Sequence, residues 1–76
     1  MIDKENEGSP AEAAELSDRE KQVAHRVAEG LTNRQIARTL EISEKTVETH
    51  MRNIFRKIGV GSRAQLAVYV VSTGQF

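Results

Sequence analysis

The sequence has no cysteine and no tryptophan, a single proline and three aromatic residues, Phe55, Tyr69 and Phe76. Each scarcity closes off an architecture. Without cysteine, neither a disulfide framework nor a thiolate metal site can reinforce the core. An apolar fraction of 38%, nearly all of it aliphatic, suits a small helical unit better than a β-sandwich. No apolar run approaches the roughly 20 residues that a membrane span needs, and no signal peptide is visible, so a soluble cytoplasmic protein with no membrane partner is expected. At 76 residues the chain has room for one domain. A unit of this size buries only about 60% of its unfolded surface and is marginally stable.

Net charge is also lacking, since 11 basic residues balance 11 acidic ones, and a zero total argues at first against nucleic acid. The distribution says otherwise. Asp3, Glu5, Glu7, Glu12 and Glu15 stand against Lys4 alone in the first 16 residues, whereas residues 17–76 hold ten basic and six acidic side chains. A modestly basic body follows an acidic leader. Residues 1–15, polar and broken by Gly8, Ser9 and Pro10, lack the apolar periodicity that would join them to a core, so a flexible, disordered leader is expected there and a folded domain over 16–76.

From Leu16 onward the punctuation is regular. Ser17-Asp18-Arg19-Glu20 is a capping box, with Val23, Val27 and Ala28 following at helical spacing and Gly30 as the left-handed stop. Thr32-Asn33-Arg34-Gln35 is a second box, opening a short helix whose Ile36, Ala37 and Leu40 share a face. Glu41-Ile42-Ser43 forms a turn with Ser43 as the next N-cap. Val47, Met51, Ile54 and Ile58 then form an amphipathic stripe, with Gly59 and Gly61 ending that helix around Val60. Ser62-Arg63-Ala64-Gln65 is the third box, before a fourth helix carrying Leu66, Ala67, Val70 and Val71 to about Gly74. The spacing predicts an all-α fold of four helices.

The second and third helices fit a helix-turn-helix, in which two helices joined by a short turn cross steeply and the second lies in the major groove. Ala37 is the small residue needed at the close approach, and Ile42 is the apolar residue inside the turn. Opposite the apolar stripe, the third helix (about 44–58) carries Lys45, Glu48, Thr49, Arg52 and Arg56 as one ridge. Arg52 suits bidentate bonding to guanine, Thr49 offers a methyl to thymine, and Glu48 suits cytosine N4. Arg56, further along, meets the flanking backbone. The same ridge can also be a solvated face laced by Glu44–Glu48–Arg52 ion pairs. Thr32, Asn33 and Arg34 are candidates for holding a phosphate where the helix dipole favours an anion, as are Thr46, Lys57 and Arg63. Lys57 is also placed to bridge locally to an acidic side chain. His50, at the edge of the ridge, either packs on the second helix or touches a phosphate.

Other chemistry finds little support. His25 and His50 lack a third ligand or metal spacing, Asp18 and Glu20 are accounted for by the capping box, and no phosphate loop, nucleophile elbow or Ser/His/Asp constellation occurs. No enzyme activity, metal, cofactor or small-molecule ligand is expected.

These blocks together resemble the LuxR/GerE-type helix-turn-helix domain of bacterial transcription regulators. Leu16–Glu20, Glu29–Ala37, Ile42–His50, Ile54–Val60 and Ser62–Gln65 carry the resemblance, which covers 59 of the 76 residues from Leu16 to Gly74. It implies base reading by Glu48, Thr49 and Arg52, with Lys45 at the groove's edge, and backbone contacts from Thr46 and the start of the second helix. It further implies a homodimer on DNA through the fourth helix, by Ala64, Ala67, Val68 and Val71, although Val68 and Val71 would serve equally to widen the core. The expected function is sequence-specific binding of double-stranded DNA at a pseudo-palindromic site, regulating a promoter by contacting RNA polymerase or excluding it, in a nucleoid-associated protein. Many family members carry a basic residue where Glu48 stands, so sequence preference does not transfer. Most also attach this domain to a receiver or ligand-binding domain; the short leader with its initial Met leans towards a free-standing regulator over an excised tail. A sigma-factor region fits less well, given the fourth helix and the 44–50 segment. A protein-interaction module that has lost DNA affinity is the alternative from another class.

Overall fold

The structure, a computed structural model, describes residues 15–73 and holds four helices: α1 (Asp18–Ala28), α2 (Asn33–Leu40), α3 (Glu44–Ile58) and α4 (Arg63–Thr73). All but Glu15 of the expected leader, together with Gly74, lies outside the described residues.

Local chemistry sets the helix starts. Glu20 N–H donates to Ser17 Oγ at 3.1 Å while Ser17 N–H donates to Glu20 Oε1 at 2.9 Å, a reciprocal box that satisfies two amides the helix leaves open. Thr32 and Gln35 repeat it at 3.1 and 2.8 Å. Ser43 caps α3 by accepting from Thr46 N–H at 3.0 Å, and its hydroxyl also meets Thr46 Oγ1 at 2.9 Å. The third expected box is only half formed. Ser62 Oγ accepts from Gln65 N–H at 3.1 Å, but Gln65 Oε1 takes the N–H of Gly61 at 2.6 Å. The glutamine thus reaches one residue past the cap and fastens the α3–α4 turn instead.

The stops are left-handed. Gly30 (φ +92°) and Gly59 (φ +83°) follow α1 and α3 in a conformation that costs glycine little. At the end of α2 the left-handed residue is Glu41, φ 59°. Its strain is held by the turn, in which Ile42 N–H donates to Ala37 O at 2.9 Å and the Ile42 side chain packs on the core.

The core is aliphatic. Ile36, Ile54, Leu66, Val23 and Val47 are sealed from solvent, and Leu16, Ala24, Val27, Ala37, Met51 and Val70 nearly so. Burial of the larger of these side chains stabilises by about 1.5–3 kcal/mol each before chain entropy is counted. The α3 stripe is buried at Val47, Met51 and Ile54 and half-buried at Ile58. α1 lies against both α4 and α3, while α2 crosses onto α3 and touches α1. In α4 only Leu66 and Val70 enter the core; Ala67 is half-buried, and Val71, expected on the same stripe, is exposed. A helix apolar on more than one side does not declare which face it buries.

One charge is inside. Glu20 is 4% exposed and takes Lys57 Nζ at 2.8 Å, which joins α1 to the last turn of α3. The capping box therefore accounts for only part of what Glu20 does.

Candidate nucleic-acid interface

The core stripe of α3 fixes what its other side presents. With Val47, Met51 and Ile54 inside, Lys45, Glu48, Thr49, Arg52 and Arg56 are all exposed. The ion-paired alternative for this ridge is not realised: among the described residues, Glu44, Glu48 and Arg52 make no salt bridge to one another. Thr49 Oγ1 donates to Lys45 O at 3.2 Å, so its hydroxyl proton is spent on its own helix. Arg56 Nη2 donates to Asn53 Oδ1 at 3.0 Å.

α2 lies across α3 through Ile36 and Ala37, both buried, and this brings its first turn beside the ridge. Thr32 and Arg34 are exposed there and Asn33 is half-buried. In the first turn the amides of Asn33 and Arg34 have no carbonyl within the helix to bond, which leaves a partial positive charge at that end. An open groove of about 420 Å³ joins the elements, lined by Asn33 of α2, by Glu48, Met51, Arg52 and Phe55 of α3, and by Arg63 at the start of α4.

Two of the cations picked out from the sequence already have internal partners. Lys57 is engaged by Glu20, as above. Arg63 Nη1 donates to Asn33 Oδ1 at 2.8 Å, and its Nη2 donates to the carbonyl of Leu31. Thr46 and His50 are half-buried along the flank of α3. Burial acts to raise the Glu20 carboxyl. The hydrogen bond from Lys57, the bonds with Ser17 and the Lys57 charge more than offset this, holding it below the ordinary glutamate value of 4.5. The α4 residues separate by side: Ala64, Val68 and Val71 are exposed, Val68 and Val71 at 64% and 73%, while Ala67 is half-buried.

The arrangement is a braced helix presenting a polar, mostly cationic ridge beside a helix N-terminus. Residues 14–70 match the family of bacterial regulatory proteins known as the luxR family. The chain belongs to that LuxR family. It carries the family's helix-turn-helix DNA-binding domain, with α2 and α3 as the helix pair. Over 53 residues it is 49% identical to the nitrate/nitrite response regulator protein NarP of Escherichia coli, an overlap covering 70% of this chain and 25% of that protein. A nitrate/nitrite response regulator homologue of Haemophilus influenzae is 43% identical over 68 residues, 90% of this chain and 32% of the relative. The CsgBAC operon transcriptional regulatory protein of Escherichia coli is 48% identical over 54 residues, 71% of this chain and 25% of its own length. The chain thus spans a quarter to a third of these LuxR relatives, which are regulatory proteins by name.

Sequence reasoning missed the cross-fold links Glu20–Lys57 and Arg63–Asn33. They join residues 37 and 30 positions apart, and no local spacing signals them.

Proposed function

We propose that the chain is a sequence-specific transcription regulator that inserts α3 into the major groove of double-stranded DNA. The observation that carries this reading is the α3 ridge: Lys45, Glu48, Thr49 and Arg52 are exposed on one side of a helix whose other side is locked in the core. Arg52, free of any ion pair among the described residues, has its guanidinium available for guanine O6 and N7. Thr49, its hydroxyl turned back on the helix, offers its methyl to thymine. Glu48 accepts from cytosine N4, and Lys45 sits at the groove's edge. Thr32, Asn33 and Arg34 hold a phosphate at the start of α2, with Thr46, His50 and Arg56 along the flanking backbone. Lys57 and Arg63 act on the backbone mainly through the elements they tie together.

Two copies pair through Ala64, Ala67, Val68 and Val71 of α4 on half-sites about one helical turn apart. The exposure of Val68 and Val71 supports this surface. The outcome is promoter regulation in the bacterial cytoplasm, at the nucleoid, by contact with RNA polymerase or its exclusion; the names of the relatives support that class. Residues 16–76 form the reading domain and 1–15 an acidic leader to it. No step of this function is catalytic.

Selection from a randomised duplex pool, followed by sequencing, tests the reading. A pseudo-palindrome should be enriched, and Glu48→Gln should relax preference at one base-pair position per half-site. Enrichment of no sequence, with binding only to other proteins, would favour an interaction module.

A further inference from the structure

We propose that Arg63 is a positioning residue for DNA binding: it clamps the first turn of α2 to the start of α4 and fixes which end of the Asn33 amide is offered to DNA. The proposal deepens the DNA-binding reading and rests on it.

The two acceptors of Arg63 bracket the N-cap of α2. Leu31 O lies one residue before Thr32 and Asn33 Oδ1 one residue after it. A planar guanidinium with donors in a fixed fork can serve both at once, whereas an ammonium is a single point charge. The Leu31 amide is already committed, donating to Arg26 O at 3.1 Å. Ile36 and Ala37 anchor α2 from its second turn onward, so the core sets the face of α2, and the fork holds the turn ahead of that face.

The clamp also decides the chemistry of Asn33. Arginine has donors only, so the group facing it must be the amide oxygen. The end left over is the NH2, a donor, which is what a phosphate oxygen requires. Without Arg63 the amide is free to rotate and offer its oxygen, which repels phosphate. Arg63 lines the same groove as Arg52 and Glu48, so the clamp and the reading ridge face one space. Arg63 therefore acts on DNA through Asn33 and the first turn of α2.

The test compares the full chain with Arg63→Ala, Arg63→Lys, Asn33→Ala and the Arg63→Ala/Asn33→Ala double variant. Anisotropy titrations use a duplex from the selected pool at several salt concentrations, at a temperature where circular dichroism shows every variant folded. Arg63→Ala should lose about tenfold in affinity, the scale of one charge-assisted hydrogen bond. Its salt slope should stay that of the wild type, Arg63→Lys should restore little, and the double variant should be no weaker than Arg63→Ala. A slope flatter by about one unit would make Arg63 itself the phosphate contact and overturn the proposal. So would near-complete rescue by lysine, or additive losses in the double variant. A purely structural arginine would lower the melting temperature and leave the affinity of the folded protein unchanged, which also overturns it. If the wild type bound no duplex, the DNA-binding reading would fail separately. The clamp itself is then judged by amide NMR, where Arg63→Ala should move the Thr32 N–H, which shares its peptide group with the Leu31 carbonyl, and the Asn33 side-chain signals, and unmoved signals refute it.

Discussion

Lys57→Ala removes the cation that holds the buried Glu20 carboxylate, in the first turn of α1, to the last turn of α3. The Glu20 side chain is 6% exposed and that of Lys57 33%. The carboxylate therefore depends on its partner, while the ammonium retains water. Glu20 keeps the Ser17 N–H at 2.9 Å and loses the Lys57 donor at 2.8 Å. A hydrogen bond to a charged group contributes about 1.5–3 kcal/mol. Part of this is recovered because truncation opens Glu20 to solvent and the pair is partly screened, so we expect a loss of about 1–2 kcal/mol at neutral pH. In a domain this small that lowers the melting temperature by roughly 4–16 °C. The pH dependence gives the sharper check. The folded-state pKa of Glu20 lies below its ordinary value of 4.5. Its contribution is therefore fully present above that ordinary value and is lost as pH falls through the lower folded one. Thermal melts followed by circular dichroism at pH 7 and at pH 3 should show wild type and Lys57→Ala converging in acid. A difference of the same size at both pH values would refute the assignment, because it would place the loss in packing of the lysine stem.

Glu41→Gly should stabilise the fold by about 0.5–1 kcal/mol in urea denaturation, since glycine adopts the left-handed turn without the strain glutamate bears there. Arg52→Ala should cost roughly 1–3 kcal/mol at the selected duplex and little at random DNA, whereas Lys45→Ala should weaken both alike and flatten the salt slope by about one unit; anisotropy separates the two. Val71→Asp should leave affinity for a single half-site unchanged and reduce binding to the paired site to that of independent half-sites, seen as loss of cooperativity in a gel-shift titration.

What was legible in the sequence was what is local. The boxes at Ser17/Glu20 and Thr32/Gln35 span four residues each, and the stripe Val47–Met51–Ile54 repeats at the helical period, so helix starts and the buried side of α3 could be read directly. With the buried side of α3 known, the exposed ridge follows from geometry. The start of α4 was read less well, because an S-x-x-Q pattern does not say whether the glutamine turns back to Ser62 or one residue further to Gly61. Nothing marked Glu41 as left-handed, since glutamate has no preference for that region; only the turn between α2 and α3 imposes it. Burial on α4 was ambiguous for a related reason: Leu66 and Val70 differ little in kind from Ala67 and Val71, and only the surface of α1 chooses between them. The links from Lys57 to Glu20 and from Arg63 to Leu31 and Asn33 exist because folding brings distant segments together. In the sequence those two cations look the same as cations that face DNA.

The central claim, that the α3 ridge binds DNA, is tested most directly by titrating a labelled duplex pool with the full chain from low to near-physiological salt. The account predicts affinity falling linearly in log–log form as salt rises, with a slope that reports several phosphate contacts, and a shallower slope for Arg34→Ala/Arg56→Ala. Absence of binding at the lowest salt, or binding indifferent to salt and to those two substitutions, would contradict it.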